Sequence, residues 1–200
     1  MLGLAYKRGV QPKANMFGVT ITELPAGLWI IFVGICMPLL CLVLTTLRYT
    51  LFWEAAREAA DAASQAQSYN LSGMGSVSLA QNTAVNVAAL FSGVTINPDD
   101  VQCWIIVTPF ANLNTPGNSG PPPSTVIGPN TALTTPADTS KNLYQLRVDV
   151  SGQLQPMLYL PTSVFGAIPG LNQPFPVKIS MVRVFENPQG LYQFASSSGS

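Results

Sequence analysis

No histidine occurs anywhere in the chain. Its absence removes both the commonest general base and the commonest metal ligand. Charge is nearly as scarce, with nine basic and nine acidic side chains making up 9% of 200 residues, far below the quarter usual in soluble domains. The formal net charge is zero, so no global field draws the chain onto nucleic acid, and no nucleic-acid partner is expected. A chain with so few charges has little to keep it dispersed as a free monomer. It belongs in a membrane or in an assembly.

Cysteine is limited to Cys36, Cys41 and Cys103. The first two fall inside an apolar run, where a thiol behaves as a small hydrophobe. Cys103 stands alone in the remainder, which excludes an intradomain disulfide there and, without histidine, a zinc site. The plain reading of Cys103 is a buried thiol. Serine and threonine are plentiful, yet no histidine or well-placed lysine is at hand to activate one. No glycine-rich phosphate loop with a lysine occurs. Asp99 and Asp100 supply fewer ligands than a calcium ion needs and read as a solvated turn. These absences point away from an enzyme, and no cofactor and no small-molecule substrate is expected.

What the chain does have is an uninterrupted apolar run from Leu24 to Leu47, LPAGLWIIFVGICMPLLCLVLTTL, without one charge. About 20 apolar residues span the hydrocarbon core of a bilayer as a helix. The run leads directly into RYTLFWEAAREAADAASQAQ, which lacks the small-residue cleavage site of a secretory signal, so the segment is expected to stay attached. Pro25 and Pro38 are tolerable there, because local adjustments re-satisfy the freed carbonyls. Gly27 and Gly34, seven residues apart, lie on roughly one helical face and are small enough to admit a neighbouring helix. Lys7, Arg8 and Lys13 precede the run, whereas Arg48 and Arg57 beyond it are offset by Glu54, Glu58 and Asp61. The positive-inside rule places the N-terminus in the cytoplasm and the rest outside, a single-pass protein of the inner membrane. Alanine-rich residues 48–68, with Glu54, Arg57, Glu58 and Asp61 at helical spacings, predict that one helix continues from Leu24 to about Ser68, roughly 65 Å at 1.5 Å per residue.

Glu23 abuts the apolar run. On physics alone it is either an interfacial residue at a helix start, where the macrodipole favours a negative charge, or a carboxylate in need of a cationic partner. The stretch around it reads Lys13-Ala-Asn-Met-Phe-Gly18-Val19-Thr-Ile-Thr-Glu23-Leu-Pro. This resembles the signal of type IV prepilins, in which a basic leader and a glycine precede a cut, with a glutamate at the fifth mature residue ahead of the apolar helix. Counted from Val19, Glu23 is the fifth residue. The resemblance implies cleavage of Gly18–Val19 by a prepilin peptidase. It also implies that Glu23 pairs with the amino terminus of a neighbouring pilin or pseudopilin subunit. The string FWEAAREAADAA, from Phe52 to Ala63, is similar to the alanine-rich stretch of TadE/TadG-like pseudopilins of tight-adherence pili. The organisation implied is a leader over 1–18, a long helix over 19–69 with its transmembrane segment at 24–47, and an exported head over 70–200. A role as a structural subunit in a tight-adherence pilus or secretion filament follows from the resemblance. The alternative is a single-pass signal-anchored envelope protein whose head binds a ligand or partner.

The head is expected to be α+β, one helix on a sheet of three to four mostly antiparallel strands, as in pilins. Glycines in residues 71–77 end the long helix. A second helix fits Ser78–Phe91, with Ser78 as N-cap, Gly93 just past the end, and an apolar face of Leu79, Val87, Leu90 and Phe91. Strand patterns cover Val101–Thr108, Leu143–Val150 and Val177–Glu186, with Pro156–Leu160 as a shorter run. Lys178, Ser180 and Arg183 are placed away from part of the apolar set, and Arg147 is paired with Glu186 across strands. The loop over 109–142 is rich in Pro, Gly, Asn, Ser and Thr. It reads either as a polar surface insertion or as an exposed recognition loop, and Gly166–Pro176 is a smaller candidate of the same kind.

Overall fold

The computed structural model describes residues 25–70, 73–110, 124–156, 163, 166–170 and 172–192. Backbone contacts divide the chain into two compact units, Met1–Leu42 and Val43–Ser200. The helix Pro25–Ser64, here α1, contains residues of both.

In the first unit α1 is exposed along its apolar length, with Leu28, Trp29, Ile30, Ile31, Phe32 and Val33 all more than half accessible. Its hydrogen bonding changes at Phe32–Cys36, one π-helical turn in which the N–H of Met37 donates to Phe32 O. Pro38 explains this turn. Proline lacks the N–H that would donate to the carbonyl four residues back, and its ring crowds that carbonyl, so the preceding turn widens.

The second unit is α+β, with helices packed on an antiparallel sheet. The helix α2 is Ser76–Ala89, and the strands are β1 (Val94–Thr95), β2 (Val101–Pro109), β3 (Thr125–Ile127), β4 (Asn142–Leu154) and β5 (Phe175–Val184). The long central strand β4 pairs with β1 and β2 along one side and with β5 along the other, and β3 adds to β2. Five strands replace the expected three to four because β1 and β3 are only two and three residues long, too short to show an alternation. Of the expected short run Pro156–Leu160, residues 157–160 lie outside the described residues.

The core is built on small side chains. From α1, Phe52, Ala55, Ala56, Ala59, Ala60 and Ala63 are fully buried; from α2, Ala80, Ala84 and Ala88 recur every fourth residue on its buried face. Alanine lets both helices lie close to the sheet, where Val101, Cys103, Ile105, Leu146, Val148 and Val150 are fully buried. The expected face of α2 is corrected in part: Val87 and Phe91 pack against the core, but Leu90 points outward at 77% exposure, and the alanines form the buried centre of the face. Phe52 is seated on Gly152, where an added Cβ would meet its ring at 2.6 Å. Burying such a ring stabilises by roughly 2–3 kcal/mol.

The helix ends differ from expectation as well. α1 stops at Ser64, not near Ser68, because tertiary partners take the backbone beyond it. Glu186 N–H donates to Ser64 O (3.1 Å), Tyr69 N–H to Gly190 O (2.8 Å) and Ser76 N–H to Ser68 O (2.9 Å). The N-cap of α2 is the extended Gly75 rather than Ser78. Ser78 lies a turn inside, its hydroxyl donating back to Gly75 O (3.1 Å).

Residues 124–142 are not a free insertion. β3 pairs with β2, and Ala132, Leu133 and Ala137 are buried. Asn130, with φ 54°, takes the place of a strand residue, its Oδ1 accepting from Cys103 N–H and its own N–H donating to Cys103 O, each at 2.8 Å. Residues 111–123 of the expected loop lie outside the described residues.

Candidate functional site

The residues singled out for processing and assembly, Gly18, Val19 and Glu23, lie outside the described residues. What the fold positions is the segment that follows them. Among the described residues α1 is the one helix long and apolar enough to cross a membrane, which fits a single N-terminal anchor.

The first charge beyond the apolar run is Arg48. Its Nη1 donates to the carbonyl oxygen of Gln155, just past the end of β4. Its guanidinium also fills the space beside Gly93 that a side chain there would need. Gly93 has φ +86°, in the region that favours glycine, and its carbonyl accepts from Gln155 N–H at 2.8 Å. Arg48, the turn after α2 and the end of β4 thus form one hydrogen-bonded joint where the helix leaves its apolar stretch. The sequence marked Arg48 only as a flanking charge, because nothing local signals a partner 107 residues away.

A second tie lies further along α1. Arg183 of β5 is ion-paired and hydrogen-bonded to Asp61, and that hydrogen bond raises its pKa further. Arg183 is in register with the core-facing Leu146, so it points to the helix side, opposite Lys178 and Ser180; the expected grouping of the three is corrected. The local pairs read from helical spacing are present, Arg57 standing 3.7 Å from Glu54 and 3.8 Å from Asp61.

On the sheet face away from the helices the best-buried charge is Asp149, 4% exposed. Arg147 Nη2 donates to its Oδ2 at 3.2 Å, Arg147 Nε stands 3.1 Å from Oδ1, and Lys178 Nζ lies 3.7 Å from Oδ2. Arg147 also lies 5.0 Å over the Trp104 ring, a cation–π placement. The expected partner Glu186 is replaced by Asp149, because register sets Arg147 opposite Val182 whereas Asp149 is two residues on, on the same face. That i, i+2 spacing of opposite charges was the available signal. Around the cluster, Val126, Val182 and Val184 are 41–55% exposed.

Where β1 leaves the sheet, a cleft of about 400 Å³ is lined by Thr95, Asn97, Asp100, Ser151, Gln153 and Lys178 among others. Its charges are already engaged, Lys178 with Asp149 and Asp100 with the Asn97 amide at 2.9 Å. Hydroxyls and amides facing one ammonium and one carboxylate suit polar contacts, and no nucleophile stands beside a base there. Among the described residues no three His, Cys, Asp or Glu side chains converge as metal ligands would.

Three further titratable groups are shifted from their ordinary values. Burial pushes the Cys103 thiol up to about 12, with the Asp149 carboxylate adding to the effect, so the thiol stays neutral and unreactive. Burial likewise raises Tyr69, whose hydroxyl donates to Cys103 O at 2.8 Å. Asp138 is lowered by accepting from the Ser140 hydroxyl and N–H.

No family model matches the chain, and no curated protein or solved structure matches it.

Proposed function

We propose that this chain is a membrane-anchored structural subunit of the prepilin-like kind, similar to TadE/TadG-like pseudopilins, serving assembly of a tight-adherence pilus or secretion filament. The observation that carries the reading is the register of four parts in the sequence: basic leader, Gly18–Val19, Glu23 and the apolar helix. Supporting it, one apolar helix continues into a head in which two alanine-faced helices lie on an antiparallel sheet. In this reading the work is mechanical. Prepilin peptidase removes residues 1–18 on the cytoplasmic side, the helix docks among other subunits, and Glu23 pairs with a neighbour's amino terminus, since a carboxylate in a low-dielectric bundle gains most from an adjacent cation. No catalytic step and no cofactor is assigned.

The test is intact mass and N-terminal sequencing of the protein from its own cells. A chain beginning at Val19 is expected, with a Gly18 substitution blocking the cut and Glu23→Ala impairing assembly more than membrane insertion. A chain still beginning at Met1 in cells with active prepilin peptidase would sink the reading. It would leave the second one, a single-pass signal-anchored envelope protein with a binding head, which the polar cleft beside Lys178 favours.

A further inference from the structure

Two strands pair with β4 along one side, and they do not meet. β1 ends at Thr95, opposite Gln153, and β2 begins at Val101, opposite Val150. Ser151 and Gly152 of β4 lie opposite neither strand, because the chain between leaves the ladder through the 3-10 turn Pro98–Asp100. This interruption opens the cleft of about 400 Å³, a volume in the range of small-molecule sites. Register sets Thr95 beside Gln153 and Lys178 beside Ser151, so these four side chains share the sheet face that carries Asp149, away from the helices. Gln155 N–H donates to Gly93 O on the β1 side. Residues two apart on a strand turn their backbone groups the same way, so Ser151 turns its N–H and C=O toward the cleft.

The polar groups of the cleft are of two kinds. Its charges are matched, Lys178 Nζ standing 3.7 Å from Asp149 Oδ2 and Asp100 Oδ2 accepting from the Asn97 amide at 2.9 Å. The Thr95 and Ser151 hydroxyls and the Gln153 amide, in contrast, make no hydrogen bond to the described residues. Hydroxyls and amides each donate and accept. Such groups on one concave surface, with Pro176 as an apolar wall, match a ring that bears neighbouring hydroxyls and C–H faces. A phosphate or carboxylate group would meet Asp100 and find Lys178 already shared. A wholly apolar ligand would strip water from the hydroxyls and the amide without replacing it.

We propose that this cleft binds neutral, polyhydroxylated ligands, a saccharide unit being the class that suits it. Thr95, Ser151 and Gln153 take the hydroxyls of one edge of the ring. Lys178, held in place by Asp149, donates to a further hydroxyl, and Asp100 accepts from another, both as charge-assisted hydrogen bonds. The inference deepens the reading of a ligand-binding head and rests on that part alone, independent of processing at Gly18.

The test is saturation-transfer NMR on the full chain in amine-oxide micelles, which bring no sugar of their own. The probes are the methyl glycosides of glucose, galactose and mannose, with N-acetylglucosamine, and glucuronate as the anionic comparison. Transfer to the ring protons of at least one neutral sugar is expected. Thr95→Val with Gln153→Ala should weaken it at least tenfold, both residues being exposed, with thermal melting confirming the fold. Asn82→Ala, on the exposed side of α2, should leave it unchanged. No transfer from any neutral sugar, or transfer that survives in the double variant, overturns the site. Glucuronate binding more tightly than every neutral sugar overturns the ligand class. None of these results bears on where the mature chain begins, so failure of the cleft and failure of the filament-subunit reading are told apart.

Discussion

Gly93 leaves a gap the size of a methyl group, and the guanidinium of Arg48 fills it. Two residues 45 positions apart in sequence thereby decide how the helix meets the sheet. Gly93 supplies the left-handed backbone of the turn, and Arg48 the hydrogen bond to the Gln155 carbonyl.

Gly93→Ala is expected to destabilise by about 2 kcal/mol, from a strained positive φ together with the clash against Arg48. Arg48→Ala relieves the clash, so the double variant is expected to lose less than the two single losses combined. Denaturant midpoints of the detergent-solubilised protein measure this. Strict additivity would show that the guanidinium is not what limits the site.

Enlarging the alanine face should be costly. Ala59→Leu adds three carbons at a position with no accessible surface and is expected to cost about 2–3 kcal/mol by overpacking. Glu54→Gln, on the exposed side of the same helix, is expected to change stability by less than about 0.5 kcal/mol, because its pair with Arg57 is open to solvent. Thermal melting of both variants gives the comparison, and equal effects would contradict the packing described.

Asp149 holds two cations on a sheet face that also exposes Val182 and Val184. Asp149→Ala leaves Arg147 half-buried without its carboxylate and is expected to cost about 2–4 kcal/mol. Arg147→Met with Asp149→Ala should recover part of that loss, since the remaining stack on Trp104 can be apolar. A double variant no better than Asp149→Ala alone would count against the ion pair as the source.

Alkali should weaken the fold through Cys103. The thiol's folded pKa of about 12 lies above its ordinary 9.0, so the folded state holds its proton more tightly. Stability from this source is complete below about pH 9 and declines as pH rises toward about 12, by roughly 1 kcal/mol per pH unit. Tyr69, raised from 10.0 by burial, adds to the decline at the upper end. Unfolding midpoints across that range measure the slope. Cys103→Ala is expected to flatten its lower part, and an unchanged slope would refute the assignment.

Legibility in the sequence followed the range of the interaction. The apolar run from Leu24, the alternation around Leu146 and Val148, and the second helix were readable because each is a local period. Asn130 was not, since its place in the sheet depends on the backbone of Cys103, a tertiary neighbour. Ser78 misled because a serine ahead of an apolar turn fits an N-cap, while the extended Gly75 three residues earlier takes that role without a side-chain bond. The fourfold spacing of Ala80, Ala84 and Ala88 carries the burial of α2, a signal that the bulkier Leu79 and Leu90 mask. Arg48 and Arg183 found partners that only the closed sheet brings near. As for the expected site, Gly18, Val19 and Glu23 were legible as a pattern alone, and they lie outside the described residues.

The π turn at Phe32–Cys36 changes which side chains share a stripe. One extra residue in a turn rotates everything beyond it by roughly 100° about the axis relative to a uniform helix. Side chains of Pro25–Ile31 and of Met37–Leu42 that a helical wheel would draw in line are set about a quarter-turn apart. The spacing of Gly27 and Gly34, which suggests a single small-residue groove on uniform steps, runs into the widened turn and loses that alignment. Anything lying alongside this segment meets two differently oriented faces joined at Pro38, and a straight rod cannot follow both.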